Sequence, residues 1–107
     1  MPSARAAVDA AQKEEDYQAQ IVALAKAEGW RVYSTWNSKH SPAGWPDLVL
    51  LRGQYMLCLE IKSAKGRVTD DQRECLAALR QVRHVEVAVV RPEHWEQIAE
   101  TLTKALR

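Results

Sequence analysis

A chain of 107 residues has room for one modest core and not for two domains. Its hydrophobic share of 47% belongs to a globular protein rather than a disordered one, and a net charge of +1 makes no bulk case for a nucleic-acid or membrane surface. Only local clusters of charge can carry such a function. Cys58 and Cys75 stand far apart with no C-x-x-C spacing, which argues against a zinc site or a disulfide framework and for buried free thiols. No apolar run approaches the ~20 residues of a membrane span. The opening MPSARAAVDAAQ lacks the apolar stretch of a signal peptide, so the chain reads as soluble, intracellular and cytoplasmic.

Residues 1–8 read as flexible. Residues 9–28 read as a helix, with Tyr17, Ile21, Leu24 and Ala25 at helical spacing and Gly29 placed as its terminator. WRVYST, from Trp30, alternates with period two and predicts a strand. WNSKHSPAGW is a loop. Asp47 to Leu51 predicts an apolar strand, Gly53-Gln54 a two-residue turn, and residues 55–62 the returning strand. Thr69-Asp70-Asp71-Gln72 has the form of a capping box opening a second helix, docked by Cys75, Leu76 and Leu79. HVEVAVV, from His84, is β-branched and predicts a strand, and Pro92 opens a last helix to about Ala105. The order αβββαβα predicts an α/β fold: one domain over residues 1–107, a mixed sheet flanked by helices, and a right-handed parallel crossover after the hairpin.

The hairpin turn sets a register. It pairs Arg52 with Tyr55 and, stepping outward, Asp47 with Glu60, with Cβ atoms about 4.5–5.5 Å apart on one face. Alternation puts Lys62 on that face too. Facing carboxylates repel and raise each other's pKa. A divalent cation removes the repulsion, and an all-oxygen donor set suits Mg²⁺ or Mn²⁺. The backbone carbonyl of Ile61 is a further candidate ligand. The plainer reading, acids solvated at strand ends, fits poorly with the flanking Leu48, Val49, Leu50, Leu57 and Leu59, which imply a buried sheet.

Pro46-Asp47 followed by Glu60-x-Lys62 resembles the PD-(D/E)xK nuclease signature. GWPDLVLL, LEIKSAKGRVTDDQ and a first helix carrying Glu14 four residues before Gln18 resemble, more narrowly, the VRR-NUC (virus-type replication-repair nuclease) family, over residues 12 to 98. The resemblance implies a restriction-endonuclease-like fold and Mg²⁺- or Mn²⁺-dependent hydrolysis of DNA phosphodiesters, in repair or in phage and viral replication. It also implies homodimers acting on branched DNA such as four-way junctions. Asp47 and Glu60 would hold the metal, polarising the phosphate and acidifying a bound water. Lys62 would orient or activate that water, or offset transition-state charge. Glu14 would add a carboxylate, directly or through water; its bland role is a solvated first-turn acid, and Glu15 is the alternative. Gln72 is either the reciprocal half of the cap, a neighbour of the metal site, or both. Asp70 and Asp71 read as partners of the helix dipole.

DNA contacts are expected from local cations: Lys39 and His40 before Asp47, Lys65 and Arg67 in the loop after the hairpin, and Arg73. Each has solvated loop charge as its bland reading. Trp30 and Trp95 read as core. Trp36 and Trp45 flank the loop and either pack or stack on a base. The alternative to an endonuclease is a non-catalytic DNA-binding or assembly module on the same fold, which would not need Asp47, Glu60 and Lys62 together. Strand 84–90 and the last helix, with Ile98, Leu102 and Leu106, are candidate dimer elements, although Leu102 and Leu106 suit a core equally.

Overall fold

The computed structural model describes residues 4–35 and 42–104, with side chains from residue 13 onward. Lys39, His40, Trp36 and Leu106, singled out above, lie outside the described residues.

Helix α1 spans Ala4–Ala27, beginning at Ala4 rather than at the expected Asp9. Its buried stripe of Tyr17, Ile21 and Ala25 repeats every four residues. The helix closes as a Schellman turn, with Trp30 N–H donating to Ala25 O at 2.9 Å and Gly29 N–H to Lys26 O at 3.1 Å. Strands β1 (Arg31–Ser34), β2 (Leu48–Arg52) and β3 (Tyr55–Ile61) form an antiparallel meander. Gly53 sits at φ 59° in the tight turn, and Arg52 pairs with Tyr55 as the turn chemistry predicts. Helix α2 (Asp70–Arg80) then crosses over to β4 (Val85–Val90), which pairs parallel with β3. The sheet order is β1-β2-β3-β4, so the expected αβββαβα fold and mixed sheet are what the chain adopts.

The hairpin strands run Leu48–Arg52 and Tyr55–Ile61, so Asp47 and Lys62, expected within them, lie one residue beyond their ends. Strand β4 and the last helix also start later than expected, for local reasons. His84 has φ 66°, a left-handed conformation that no strand residue holds, so β4 starts at Val85. After Pro92 the chain first makes a 3-10 turn, Pro92–His94, closed by His94 N–H to Arg91 O at 2.8 Å; only then does α3 run, from Trp95 to Thr103.

The main core lies on one face of the sheet. Leu48, Leu50, Leu57, Leu59, Ile61 and Val90 pack there against Tyr17, Ile21 and Ala25 of α1, Trp30, and Ile98 and Leu102 of α3. Ile98 and Leu102 are thereby buried inside the chain, which removes them as dimer-interface candidates. The opposite face carries Cys58 and Glu60 beneath α2, whose Leu76 is buried. Both cysteines are free, Cys58 buried and Cys75 half-buried. Among the described residues no helix is long and apolar enough to cross a membrane.

Arg52 ties the hairpin end of this core together. Its Nη1 donates to Glu28 O at 2.9 Å and to Leu102 O at 3.3 Å, and its guanidinium lies 4.6 Å from the centre of the Trp30 ring. Trp30 Nε1 donates to the same Leu102 carbonyl at 2.9 Å. Arg52→Met leaves those carbonyls short of a charged donor, and we expect a loss of about 2–3 kcal/mol. A lower urea midpoint at unchanged m-value checks it.

Candidate active site

The site begins where the β-ladder stops. Thr35 N–H donates to Asp47 O at 2.9 Å, so the backbone of Asp47 still faces β1. One register step beyond the Leu48–Leu59 pair, Asp47 stands opposite Glu60. With its backbone turned away from β3, it forms a non-hydrogen-bonded pair with Glu60, the kind in which side chains approach most closely. The next step would pair Ile61 with Pro46, and Pro46 has no N–H to give to the Ile61 carbonyl. The Ile61 N–H is taken instead by Asp47 Oδ2 at 2.8 Å, which fixes the carboxylate at the strand end. Thr35 Oγ1 holds the Pro46 carbonyl at 2.8 Å from the other side.

Glu60 is only 2% exposed, an unusual place for an acid. Its Oε1 accepts from Gln72 Nε2 at 3.0 Å and lies 3.7 Å from Lys62 Nζ. Its Oε2 is buried and has no hydrogen-bond partner among the described residues. Burial above all, then the charge of Asp47, push the Glu60 pKa up to about 8, against the pull of Lys62. Glu14 is half-buried, and its carboxyl is also pushed up, by burial first and Asp47 next, with Lys62 opposing. Glu15, one residue round the helix, is exposed.

Gln72 completes the expected cap and also reaches Glu60. Its backbone N–H donates to Thr69 Oγ1 at 3.2 Å and its Oε1 accepts from Thr69 N–H at 2.9 Å, completing the capping box. The remaining amide nitrogen is the one that reaches Glu60. Gly44 was not singled out from sequence, yet it sets the spacing of this corner. Its φ is 89°, and a Cβ there would lie 2.2 Å from Asp71 O and 2.9 Å from Gln72 N. The loop leading into Asp47 thus rests directly on the first turn of α2. A glycine three residues before the acid was the available signal.

The model of the VRR-NUC domain matches residues 3–93. The chain belongs to the VRR-NUC family. No curated protein and no solved structure matches it. As a VRR-NUC domain it is of nuclease type, with DNA as the implied substrate, in a family that generally works with a metal. The match takes in Asp47, Glu60, Lys62 and Gln72 and ends at the 3-10 turn, leaving α3 outside.

This VRR-NUC site suits a hard cation on three counts. Two carboxylates face each other, a buried carboxylate oxygen lacks a donor, and the Ile61 carbonyl borders the pair without an N–H from Pro46. Among the described residues, however, no three His, Cys, Asp or Glu side chains gather closely enough to ligate one ion. Two carboxylates with waters and substrate phosphates are a usual Mg²⁺ environment. Glu14 would then act from the rim.

Of the expected DNA contacts in the VRR-NUC domain, Lys65 and Arg67 are exposed on the loop between β3 and α2. Arg73 is exposed on α2 and paired with Asp70 at 2.8 Å, a surface ion pair of little stability value that a phosphate can displace. Trp45 is 39% exposed beside the Pro46-Asp47 corner, and Trp95 packs edge-on against Tyr17 at 6.0 Å.

A pH dependence follows for the metal-free VRR-NUC domain. Folding raises the Glu60 pKa, so the folded state holds that proton more tightly than the unfolded chain does. The Glu60 contribution to stability is therefore full below pH 4.5 and is lost as pH rises through about 8. The thermal midpoint of wild type relative to Glu60→Gln, followed in EDTA across that range, is expected to fall with rising pH; a flat difference contradicts it.

Proposed function

We propose that the chain is a Mg²⁺- or Mn²⁺-dependent endonuclease that hydrolyses DNA phosphodiester bonds, selective for branched or junction DNA in phage or viral replication or in repair. Glu60 carries this reading. A buried acid set against a second acid, with one oxygen lacking a donor, costs folding stability and makes sense as part of a cation site. Asp47, Glu60 and the Ile61 carbonyl would hold the ion, with Glu14 acting through water. The ion supplies polarisation of the scissile phosphate and a more acidic water. Lys62 places an ammonium 3.7 Å from Glu60, where it can steady the attacking water or the charge that develops on the phosphate. Gln72 keeps the Glu60 carboxylate oriented from α2. Lys65, Arg67 and Arg73, together with Lys39 and His40, would carry the DNA backbone.

Homodimerisation belongs to the same proposal, since a two-fold dimer would offer two centres to a four-way junction. With Ile98 and Leu102 committed to the core, the edge strand β4 is the remaining described candidate. A monomeric mass by light scattering would withdraw the dimer. The deciding experiment is cleavage of forks, flaps, four-way junctions and plain duplex in Mg²⁺, Mn²⁺ and EDTA, with Lys62→Ala as control. Metal-dependent cutting of branched substrates that falls steeply in the variant supports the proposal. Cutting in EDTA, or by the variant at the wild-type rate, overturns it. DNA binding without cleavage in either metal would instead mark a non-catalytic module.

A further inference from the structure

Arg91 is the first residue beyond β4, and nothing in its sequence context marks it for a role in the site. Its backbone is firmly seated: its N–H donates to His94 Nδ1 at 3.1 Å and its carbonyl accepts from His94 N–H at 2.8 Å. From that seat the side chain reaches the segment that follows Lys62. Nη1 donates to Ser63 O at 2.8 Å and to Gly66 O at 2.7 Å. These two residues are the ends of a tight turn closed by Gly66 N–H to Ser63 O at 3.2 Å. One nitrogen with two hydrogens thus clamps both ends of the turn, through charge-assisted bonds that a lysine's point charge does not reproduce.

The turn in turn packs on Lys62. A Cβ built on Gly66 would lie 3.0 Å from Ser63 Oγ and 3.6 Å from Lys62 Cδ, so the glycine backbone lies along the lysine stem. The Lys62 side chain is only 14% exposed, and its backbone N–H is held by Val90 O at 3.0 Å, next to Arg91. A lysine has several free torsions, and holding its ammonium in one place costs rotamer entropy unless the walls are already set. Here one wall is the turn that Arg91 clamps.

We propose that Arg91 is a positioning residue for Lys62: by bonding the Ser63 and Gly66 carbonyls it fixes the turn against the lysine stem and so holds the ammonium beside Glu60. This rests on the nuclease reading above for its effect on rate, and on geometry alone for its effect on Lys62. With DNA saturating, Arg91→Met is expected to lower the single-turnover cleavage rate by about 10- to 100-fold with KM nearly unchanged. In a Lys62→Met background the same change is expected to cost nothing further, because the group it positions is gone. Arg91→Lys is expected to fall between wild type and Arg91→Met.

Two readouts need no activity. Amide exchange at Gly66 should quicken in Arg91→Met while exchange in β2 and β3 is unchanged, which also shows that the variant folds, and ¹³C relaxation at Lys62 Cε should report a more mobile side chain. Additive losses in the double variant, a raised KM at unchanged rate (a phosphate contact), or an unaltered Lys62 relaxation would overturn the proposal. Should wild type not cleave at all, the nuclease reading fails, and the exchange and relaxation results still decide whether Arg91 holds Lys62.

Discussion

Asp47→Asn is expected to lower the cleavage rate by about 10³-fold while raising the thermal midpoint of the metal-free protein. The rate loss follows from removing one of two anionic oxygen donors for the cation, an interaction of several kcal/mol in the transition state. The stability gain follows from the same substitution. Asp47 stands against a buried Glu60 and raises its pKa by charge, so above about pH 8, where Glu60 is ionised in the metal-free protein, a neutral amide there relieves a like-charge contact. Asparagine keeps an oxygen able to accept the Ile61 N–H that Asp47 Oδ2 now takes at 2.8 Å, so the strand end is not disrupted. A midpoint rise of a few degrees corresponds to roughly 1 kcal/mol in a domain of this size. Opposite signs for activity and stability are the mark of a site that holds strain for its chemistry. A purely structural acid would lose both. Scanning calorimetry in EDTA above pH 8 beside single-turnover cleavage in Mg²⁺ provides the comparison.

Gly44→Ala is the second large effect. The added methyl would lie 2.2 Å from Asp71 O, 2.5 Å from Asp71 C and 2.9 Å from Gln72 N, all backbone atoms of the capped first turn of α2. No rotamer change relieves such contacts. Overpacking and a left-handed φ for alanine together cost about 2–4 kcal/mol. The loop must lift off α2, and that loop leads to Asp47 while the helix presents Gln72 to Glu60. A relative shift near 1 Å between the two sides is enough to cost about 100-fold in rate. Gly29→Ala is the control. It has a comparable φ of 86° but nothing within 4 Å of its Cβ, so only the backbone strain of about 1–2 kcal/mol is expected, with cleavage unchanged. Urea midpoints and cleavage rates of the two variants separate a steric role in the site from simple strain.

The hairpin was legible because its signals are local. A glycine-first turn fixes the register, period-two alternation fixes the faces, and Asp47, Glu60 and Lys62 then follow by counting. The capping box of Thr69 and Gln72 is equally local, and it stands as read. What could not be read depends on distance in space. The contact of Gly44 with Asp71 joins segments with no pattern relating them, and the Arg52 and Arg91 clamps bind carbonyls that no side-chain sequence announces. Ile98 and Leu102 show why apolar periodicity gives a buried face but not its cover: α1 and the sheet bury them, where a second subunit was an open alternative. His84 moves the start of β4 by one residue and the 3-10 turn after Pro92 moves the start of α3 by three, through backbone conformations that propensity does not encode.

Facing carboxylates at the mouth of the β2–β3 hairpin are the part on which everything else leans, and divalent-ion binding to the protein without DNA tests them most directly. Titrating Mg²⁺ and Mn²⁺ into wild type, Asp47→Asn and Glu60→Gln, with the thermal midpoint as readout, should show wild type rising with ion concentration and both variants flat. Equal shifts in all three proteins, or none in wild type at millimolar ion, would contradict a cation site between Asp47 and Glu60.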